Sequence, residues 1–596
     1  MTLIIAAVNR HYWLFVVLFS ISCASVPATR EPVHVVIVGT TDVHGWFNGH
    51  VVAPQKGGEG VRYGGVALLS SYLGALREAN PGRVLVVDSG DLFQGTMESN
   101  MFEGEPIIRG YNALGYTAAA VGNHEFDYGP IGPNVVPRLP GENPFGALER
   151  NVRLATFPLL SANMTEKASG RIPWWAKPSV IVKAGGAKIG IIGLSTPDTP
   201  NVTMAANVTT LEFSDPVAAT IREAKLLRER GADAIVVIAH MGGRCSDVSG
   251  DVHDLASCSQ AQEANQLLQA LPPGTIDAYF AGHTHAHMRH IVNGVPALQA
   301  LAFSREFSSL DLYIDPVAHR VVTEKTNLRP HTMICPMVYS GTEECDPLQA
   351  PAEAKLVPRI YEGKTITADW QVAAMVEPYL ARVATKRNEK IGARAAARFP
   401  RANGEESALG DLLADTLRAA TKVDIAFVNS GGIRMPLPEG DLIYGDVFEV
   451  APFDNYPSIV EMTGQEIIDA LNLTTNGDRG VLQVSGLRYE FDVTRDADKP
   501  AGQRRRVTKA TLDDGTPLDP KKTYRVAMPD FLAAGGDGLM PVMKDIPKER
   551  FSTDFSRPLR DLWAEMFHKQ PQPLVPKTDG RIVVLNVPTA TPSSSH

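Results

Sequence analysis

Cysteine is scarce in this chain, with five among 596 residues. None of them has the C-x-x-C spacing of a zinc finger, so a structural zinc site built on thiolates is not expected. The four that follow the N-terminal segment form two short-range pairs, Cys245 with Cys258 and Cys335 with Cys345. An oxidising compartment would convert these pairs into two local disulfides. The alternative is a set of buried free thiols.

An excess of positive charge is also missing. The net charge is -9 and the sequence pI is about 6.0. A nucleic acid polymer is therefore not expected as the main partner of this protein. A small anionic substrate is still compatible with the composition, provided that positive charge is concentrated locally.

Long apolar runs are absent after the N-terminus, so no transmembrane span is predicted. The N-terminus has Arg10 and His11 before a short apolar core at residues 12–21, and small residues follow it. This layout is typical of a signal peptide, here residues 1–28, and predicts a periplasmic, cell-surface or secreted protein. Two alternatives stay open: a buried N-terminal strand or helix, and a lipid anchor at Cys23.

Apolar strands alternate with amphipathic helices along most of the chain. Segments such as VHVVIVG and DAIVVIAH are continuously apolar, whereas VALLSSYLGALREA has a helical period. This alternation predicts an α/β fold whose sheets are covered on both faces. A change of composition at about residues 335–358 precedes one long helical segment, TADWQVAAMVEPYLARVATKRNEKIG, which leads to a second α/β region.

Polar residues follow the carboxyl ends of five of these strands, where open α/β sheets bind ligands. They are Asp42 with His44, Asp91, Asn123 with His124 and Asp127, His240, and His283 with His285. Each loop alone is weak evidence, since single Asp and His residues are commonly structural. Nitrogen and oxygen donors without thiolates favour Zn, Mn, Fe or Co over calcium. Two such cations about 3.5–4 Å apart can clamp both oxygens of a phosphoryl displacement.

The order D-x-H, G-D, G-N-H-E, H and G-H-x-H resembles the calcineurin-like metallophosphoesterases. GNHEFDYG joined to NSGGIR and FLAAGGDG is similar to the 5'-nucleotidase family within them. The resemblance implies a four-layered α/β/β/α metallophosphoesterase domain at 31–345, joined by a linker and helix at 346–394 to a C-terminal α/β domain. That second domain, at 395–585, would bind the substrate, and a disordered tail would follow at 586–596.

The resemblance also implies two sets of metal ligands that share one carboxylate. The first set is Asp42, His44, Asp91 and His285, and the second is Asp91, Asn123, His240 and His283. Many relatives have Gln or Asn where this chain has His285, a departure that bears on the metal preference. His287 matches no ligand of the family. Asp88 stands three positions before Asp91, nearer the strand, and is expected to orient the loop by hydrogen bonds.

His124 and Asp127 match the catalytic pair of the family. Asp127 would hold the imidazole and favour its charged form, and His124 would stabilise charge on the transferred phosphoryl group. The nucleophile would be a metal-activated water. As an alternative, Asp127 could be a helix cap.

Two aromatic residues in separate loops of the C-terminal region, Phe453 and Phe531, could sandwich a flat ring or could be ordinary core residues. The resemblance to the family's nucleoside pocket implies that they stack the base and that Asp537 holds the ribose. Asn429, Arg434 and Asn455 would complete this pocket. One departure concerns the stretch RFPRANGEESALGDLL, where Arg401 is the nearest candidate for a family arginine and Asp411 replaces the usual Asn.

The resemblance implies an exported two-metal 5'-nucleotidase that releases phosphate from nucleoside 5'-monophosphates. A UDP-sugar hydrolase or a 2',3'-cyclic-nucleotide phosphodiesterase is the alternative, because the same metal site would serve either. A non-enzymatic surface binding or adhesion protein is a third interpretation. The complete ligand set argues against it, because a site that no longer binds metal is expected to lose ligands.

Overall fold

The computed structural model describes residues 31–52, 61–347, 354–476, 480–496, 499 and 503–587. The predicted signal peptide, Cys23 and residues 588–596 of the predicted tail lie outside these ranges. Within the described ranges, no helix is both long enough and apolar enough to cross a membrane.

The first part of the chain is a mixed α/β domain. Its strands are β1 Val33–Thr40, β2 His50–Val52, β3 Val61–Tyr63, β4 Val84–Asp88, β5 Ala118–Ala120, β6 Leu159–Leu160, β7 Met164–Glu166, β8 Ser179–Ala184, β9 Ala187–Ser195, β10 Leu211–Phe213, β11 Ala234–His240, β12 Ala278–Ala281, β13 Met288–Val292, β14 Val295–Gln299, β15 Glu306–Asp315, β16 Arg320–Val321, β17 Asn327–Leu328, β18 Thr332–Met333 and β19 Met337–Tyr339. Its helices are α1 Val66–Ala79, α2 Met97–Asn100, α3 Glu105–Leu114, α4 Gly146–Leu154, α5 Thr199–Val202, α6 Ala205–Val208, α7 Pro216–Glu229 and α8 Glu263–Ala270.

Two sheets form the centre of this domain. The first has the order β16-β15-β1-β4-β5-β6, with β17 and β18 also paired to β15, and the second has the order β13-β14-β12-β11-β9-β8. Neighbouring strands β1, β4 and β5 are parallel, and so are β9, β11 and β12. Strand β15 runs antiparallel to β1, so the first sheet is mixed.

The two sheets face each other across an apolar core. Ile37 of β1, Ile191 of β9 and Phe280 of β12 belong to this core. Helices α1 and α3 cover the outer face of the first sheet, and α7 and α8 cover the outer face of the second. Strands covered on both faces are continuously apolar, as the sequence predicted. The predicted α/β/β/α layering is confirmed.

A connecting segment follows this domain. Its elements are β20 Leu356–Pro358, β21 Ile360–Tyr361, β22 Lys364–Thr365 and α9 Trp370–Arg387. The sequence predicted helix as far as Gly392, but α9 ends at Arg387, because the chain from Lys390 onward forms a strand that pairs elsewhere. Val372 and Val376 of α9 are buried in the core of the first domain, whereas Val383 is buried in the core of the second.

The second domain is also α/β. Its strands are β23 Lys390–Ala395, β24 Ile425–Asn429, β25 Gly440–Ile443, β26 Pro457–Thr463, β27 Leu482–Ser485, β28 Leu487–Asp492, β29 Val507–Leu512, β30 Thr523–Pro529, β31 Phe551–Thr553 and β32 Ile582–Leu585. Its helices are α10 Ala408–Thr421, α11 Tyr444–Val450, α12 Gly464–Thr474, α13 Asp530–Ala533, α14 Met540–Met543 and α15 Leu559–Phe567. A five-stranded sheet of order β27-β24-β30-β26-β31 lies at its centre.

Both cysteine pairs that the sequence singled out are bonded. Cys245 and Cys258 have sulfurs 2.07 Å apart, and Cys335 and Cys345 have sulfurs 1.98 Å apart. The first disulfide closes a loop of the first domain that begins shortly after β11. The free-thiol alternative is therefore wrong for these four cysteines.

Candidate active site

All five predicted loops follow the carboxyl ends of parallel strands and meet between the two sheets of the first domain. The loops after β1, β4 and β5 come from the first sheet, and those after β11 and β12 come from the second. Five of the seven candidate ligands have a left-handed backbone: Asp42 (φ 49°), His44 (49°), Asp91 (59°), His283 (81°) and His285 (49°). Such conformations cost about 1–3 kcal/mol each and concentrate at functional sites.

One group of donors consists of Asp42, His44 and His285. The Nε2 atoms of the two histidines are 3.0 Å apart, and the Nε2 of His285 is 3.3 Å from Oδ1 of Asp42. His44 Nδ1 lies 2.7 Å from the carbonyl oxygen of Gln94. A carbonyl can only accept, so Nδ1 carries the proton and the lone pair of His44 Nε2 is directed at the other two donors.

The second group consists of Asp91, Asn123, His240 and His283. His240 Nδ1 lies 2.9 Å from the carbonyl oxygen of Ser89, which fixes the tautomer as in His44. His240 Nε2 is then 3.0 Å from Oδ2 of Asp91 and 3.1 Å from Oδ1 of Asn123. It is also 3.2 Å from Nδ1 of His283. Four donors thus converge on one point.

Asp91 lies between the two groups. Its Oδ2 atom is 3.0 Å from His240 Nε2 in one group and 3.7 Å from His44 Nε2 in the other. Glu125 fixes the backbone of this loop, because its carboxylate accepts from the Asp91 amide at 2.9 Å and from the Gly122 amide at 2.6 Å. Glu125 is the last residue of the GNHE motif, and this role was not predicted from the sequence.

The electrostatics of the groups match cation binding. Burial would raise the pKa of Asp91 and lower that of His240, but the opposite charges of these two side chains outweigh burial. The pKa of Asp91 is therefore well below its usual value, and that of His240 is raised to about 10. Burial lowers the pKa of His283 to about 3, and it also lowers that of His44. Carboxylates that demand positive charge, beside the imidazoles of His44 and His283 that burial keeps neutral, fit divalent transition ions.

His124 and Asp127 form a hydrogen-bonded pair next to the second group. His124 Nδ1 lies 2.5 Å from Asp127 Oδ2, and Asp127 Oδ1 accepts from the Thr203 hydroxyl at 2.9 Å. Burial would lower the pKa of His124, but the carboxylates of Asp127 and Asp91 outweigh it and raise that pKa. The cationic imidazole is thus favoured. Asp127 is the C-cap residue of the short 3-10 turn His124–Phe126, and its side chain holds the histidine.

One cavity of about 690 Å³ joins the two domains at this place. From the first domain it is lined by Asp91, Asn123, His124, Asp127, His283 and His285, among others. From the second domain it is lined by Arg401, Asn429, Arg434, Phe453, Asn455, Phe531 and Asp537. Asp42, His44 and His240 are buried behind this lining. The structure therefore brings all the predicted site residues together.

Two arginines of the second domain line the cavity, and one of them, Arg434, reaches the donor groups. Arg434 Nη2 donates to Nε2 of His44 at 3.1 Å, and its guanidinium lies 5.8 Å from the centre of the Phe453 ring. Arg401 Nη1 donates to the carbonyl oxygen of Arg434 at 3.0 Å. The expanded spacing around Arg401 in the sequence thus still places this residue at the cavity.

Asp537, which was predicted to hold the ribose, contacts the carboxamide of Asn429, another residue of the predicted pocket. Asn429 Nδ2 donates to Oδ2 of Asp537 at 2.7 Å. The amide of Asp537 in turn donates to the carbonyl oxygen of Asn201 in the first domain at 3.0 Å. This contact crosses the domain boundary at the edge of the cavity.

Arg244 also lines the cavity and was not predicted from the sequence. Its Nη2 atom donates to the carbonyl oxygen of Thr284 at 3.2 Å, in the loop that carries His283 and His285. Its position four residues after His240 and directly before Cys245 was the available signal. The disulfide at Cys245 fixes the loop from which this side chain extends.

Comparisons with known proteins agree with this architecture. A family model described as calcineurin-like phosphoesterase matches residues 35–287, and one described as 5'-nucleotidase, C-terminal domain, matches residues 383–545. The chain is 28% identical over 567 residues to a 5'-nucleotidase of Vibrio cholerae, covering 88% of this chain and 90% of that protein. It is 27% identical over 559 residues to a cell wall protein of Listeria monocytogenes, covering 87% of this chain and 65% of that protein.

A solved structure shares the whole fold. The 5'-nucleotidase precursor from Thermus thermophilus superimposes with a TM-score of 0.72 at 26% identity, covering 93% of this chain and all of that chain. Both family models, this superposition and the strand-end donor groups lead to the same assignment. The chain belongs to the 5'-nucleotidase family, in which a calcineurin-like phosphoesterase domain precedes a 5'-nucleotidase C-terminal domain, and it is a metallophosphatase of that type.

Proposed function

We propose that the protein is an exported 5'-nucleotidase that uses two divalent cations to hydrolyse nucleoside 5'-monophosphates to nucleoside and phosphate. The observation that carries this proposal is the shared cavity of about 690 Å³. One wall holds the donor groups, and the other holds two phenylalanines and two arginines. A volume of this size suits a single small ligand.

One cation would be held by Asp42, His44, Asp91 and His285. The other would be held by Asp91, Asn123, His240 and His283. When bound, the pair would supply a nucleophilic water of lowered pKa and neutralise charge on the phosphoryl oxygens. The all-nitrogen-and-oxygen donor set is compatible with Zn, Mn, Co or Fe. The shared position of Asp91 rests on its Oδ2 atom, which faces His240 and His44 at 3.0 and 3.7 Å.

His124 is the proposed donor to the reacting phosphoryl group. Its Nδ1 atom is bound by Asp127, so Nε2 is the nitrogen that remains for the substrate. A cationic imidazole in this position stabilises negative charge that develops in the transition state. Arg434 would add a second positive group, because its guanidinium reaches His44 from the opposite wall.

The second domain would recognise the nucleoside. Phe453 and Phe531 are proposed to stack the base, and Asn429 and Asp537 to bind the ribose hydroxyls. The ring of Phe453 lies 5.6 Å from the ring of His124, and this distance supports a base-binding surface beside the phosphoryl site. Asn455 and Arg401 line the same cavity and would complete the contacts.

Export is proposed from the signal-like N-terminus and the two disulfides, which are typical of oxidising compartments. A relative with 27% identity is named a cell wall protein. Subcellular fractionation and the mass of the mature N-terminus test this. A free N-terminus near residue 29 supports simple secretion, and a diacylglycerol mass on Cys23 supports a lipid anchor. An intact N-terminus in the cytoplasm contradicts export.

Phosphate release from AMP is the test of the activity. The protein is expected to hydrolyse AMP, to lose activity after dialysis against EDTA, and to regain it with one or more of Zn²⁺, Mn²⁺, Co²⁺ and Fe²⁺. UDP-glucose and 2',3'-cyclic AMP in parallel assays distinguish the alternative substrates. Absence of bound metal in the purified protein, together with no hydrolysis of any of these substrates, would support a non-enzymatic binding protein instead.

A further inference from the structure

A third group of possible metal ligands lies on the first domain, outside the nucleotide cavity. It consists of His287, Glu306 and His331. Glu306 is the first residue of β15, and His331 immediately precedes β18, which pairs with the start of β15. His287 directly precedes β13. Among the described residues that line the cavity, none of these three is present.

The three side chains converge on a common point. His287 Nε2 lies 2.8 Å from Oε2 of Glu306, and His331 Nδ1 lies 3.9 Å from the same oxygen. One donor atom from each residue lies within 4.8 Å of the others. Zn²⁺ bonds of about 2.0–2.1 Å in a tetrahedron would place neighbouring ligand atoms about 3.3 Å apart. The two measured separations lie on either side of that value.

His331 gives an independent indication of a missing ligand. Its side chain is only 8% exposed, and neither of its ring nitrogens has a hydrogen-bond partner among the described residues. A buried polar group without a partner has lost its hydrogen bonds to water without compensation, so such groups call for an explanation. The lone pair of this imidazole lies next to the carboxylate of Glu306, and a cation between them would satisfy both.

We propose that His287, Glu306 and His331 form a third metal site that takes one divalent transition ion of the Zn²⁺ type. Two imidazoles and one carboxylate form the protein ligand set of several zinc sites, in which water is the fourth ligand. The side chain of His287 is 30% exposed and leaves a solvent side for that water. The site is separate from the two-cation centre of the proposed function and does not depend on it.

The surroundings predict that this site is weaker than the two-cation centre. It has a single carboxylate, whereas Asp42 and Asp91 both serve the centre. The guanidinium groups of Arg289 and Arg305 lie nearby and oppose a further cation, although Arg289 is engaged by the carbonyl oxygens of Leu328 and Arg329. Dialysis against a chelator should therefore remove this metal first.

The site would act on stability. An ion held by all three residues would tie the start of β13 to β15 and to the segment before β18. Phe303, three residues before Glu306, packs against the rings of His44 and His285 at 5.6 and 5.1 Å between centroids. Loss of the ion is thus expected to loosen the segment that supports one side of the active centre.

Metal stoichiometry tests the proposal. Protein stripped with a chelator is equilibrated with Zn²⁺ and passed through a desalting column. Its zinc content is then measured by inductively coupled plasma mass spectrometry. The wild type should bind three equivalents, and Glu306→Gln and His331→Gln should each bind two. Asp91→Asn should keep the third equivalent while losing those of the active centre. His319→Gln is the matched control, because it removes an exposed histidine that pairs with the buried Asp233, and it should leave three equivalents.

A wild-type stoichiometry of two overturns the proposal, and so does a third equivalent that both variants retain. Circular dichroism identifies variants that fail to fold. If His331→Gln fails to fold, the metal stoichiometry of the isosteric variant Glu306→Gln decides the outcome. Failure of the proposed function has a different signature, since a protein that binds three metals but does not hydrolyse AMP would contradict only that function.

Discussion

Two carboxylates, Asp88 at the end of β4 and Asp91 in the loop after it, have different surroundings, and their substitutions should have different effects. Asp91 faces both donor groups. Asp88 accepts from the Thr40 hydroxyl at 2.6 Å, from the Tyr111 hydroxyl at 2.7 Å and from the Gly90 amide at 2.8 Å. Its carboxylate is therefore fully used in holding the loop, in agreement with the orienting role predicted from the sequence.

Asp91→Asn is expected to weaken both metals together and to reduce AMP hydrolysis by about a hundredfold or more, because several kcal/mol of charge stabilisation is lost. Asp88→Asn is expected to cost about 1–3 kcal/mol in the free energy of unfolding while both metals remain bound. Metal analysis, urea unfolding and phosphate release on both variants provide the measurement. Retention of two metals by Asp91→Asn, or their loss in Asp88→Asn alone, would show that the assignment of the shared ligand is wrong.

Asp411 predicts a pH-dependent stability. Burial raises the pKa of its carboxyl from 3.8 to about 8, against the opposing charge of Arg581, whose Nε is 3.5 Å from Oδ1. The folded protein therefore retains a proton that the unfolded chain loses at pH near 4. The contribution of Asp411 to the free energy of unfolding is fully present below that pH, and it is lost progressively as the pH rises towards 8.

Asp411→Asn, which restores the residue usual in the family, removes this penalty. The variant should gain stability relative to the wild type as the pH rises from about 4.5 to 7.5. Urea unfolding of both proteins at these two pH values measures the difference. An advantage of the same size at both values would mean that the ionisation of Asp411 does not contribute.

The sequence indicated the candidate ligands but could not indicate how each is held. Residue type and position after an apolar strand suffice to select His44 or His240. The proton on Nδ1 of each depends on the carbonyl oxygens of Gln94 and Ser89, which only the folded chain brings within 2.7 and 2.9 Å. The role of Glu125 under the Asp91 loop was missed for the same reason.

Helices with a clear apolar period were predicted closely. The segment VALLSSYLGALREA coincides with α1 Val66–Ala79, and SALGDLLADTLRAA contains most of α10 Ala408–Thr421. Strand order was not accessible, because it depends on pairings distant in sequence. Strand β15, for example, pairs with β1 more than 260 residues away, from Val33 with Ile314 to Gly39 with Ser308. Local periodicity carries no information on such partners.

Two glycine substitutions are predicted to change the free energy of unfolding in opposite directions. One lies at the contact between the two sheets, and the other lies on the exposed side of a helix. A Cβ atom added at Gly39 of β1 would lie 2.3 Å from Cδ1 of Phe280 in β12, within the core between the sheets. Gly39→Ala should therefore lower the free energy of unfolding by about 1–3 kcal/mol through overpacking. Gly74 is exposed within α1 and has no atom within 4 Å of an added Cβ.

Gly74→Ala is the matched control and should raise the free energy of unfolding by about 1 kcal/mol through helix propensity. Urea unfolding of the three proteins tests both statements in one experiment. A Gly39→Ala variant as stable as the wild type would show that the two sheets can separate enough to admit a methyl group.

Helix α9 connects the domains and is part of both. Arg387 in its last turn donates to Glu98 of α2 in the first domain at 2.9 Å and also contacts Glu449 of α11 in the second. The contact of Asp537 with Asn201 adds a second point of attachment at the cavity. These contacts hold the two domains together around one cavity. The donor groups line one wall of it and the aromatic residues line the other.

In the proposed function this arrangement separates chemistry from base recognition, and substitutions in the second domain can test the separation. Phe531 lies in α13, and Gly536, shortly after this helix, leaves room for its ring. A Cβ atom at Gly536 would lie 2.4 Å from Cε2 of Phe531. Base–aromatic stacking is worth about 1–3 kcal/mol in single-stranded nucleic-acid sites. Phe531→Ala is therefore expected to raise the KM for AMP by about tenfold to a hundredfold, whereas the KM for p-nitrophenyl phosphate, which lacks a nucleobase and ribose, should change little.

Phe555→Ala is the matched control for this prediction, because that ring is 51% exposed and does not line the cavity. It should leave both KM values unchanged. Steady-state kinetics with the two substrates on the three proteins measure the effect. Because the metal donors all come from the first domain, kcat for p-nitrophenyl phosphate should be preserved in Phe531→Ala. Equal losses on both substrates would mean that the ring supports the phosphoryl site itself, and the division of labour between the domains would then be wrong.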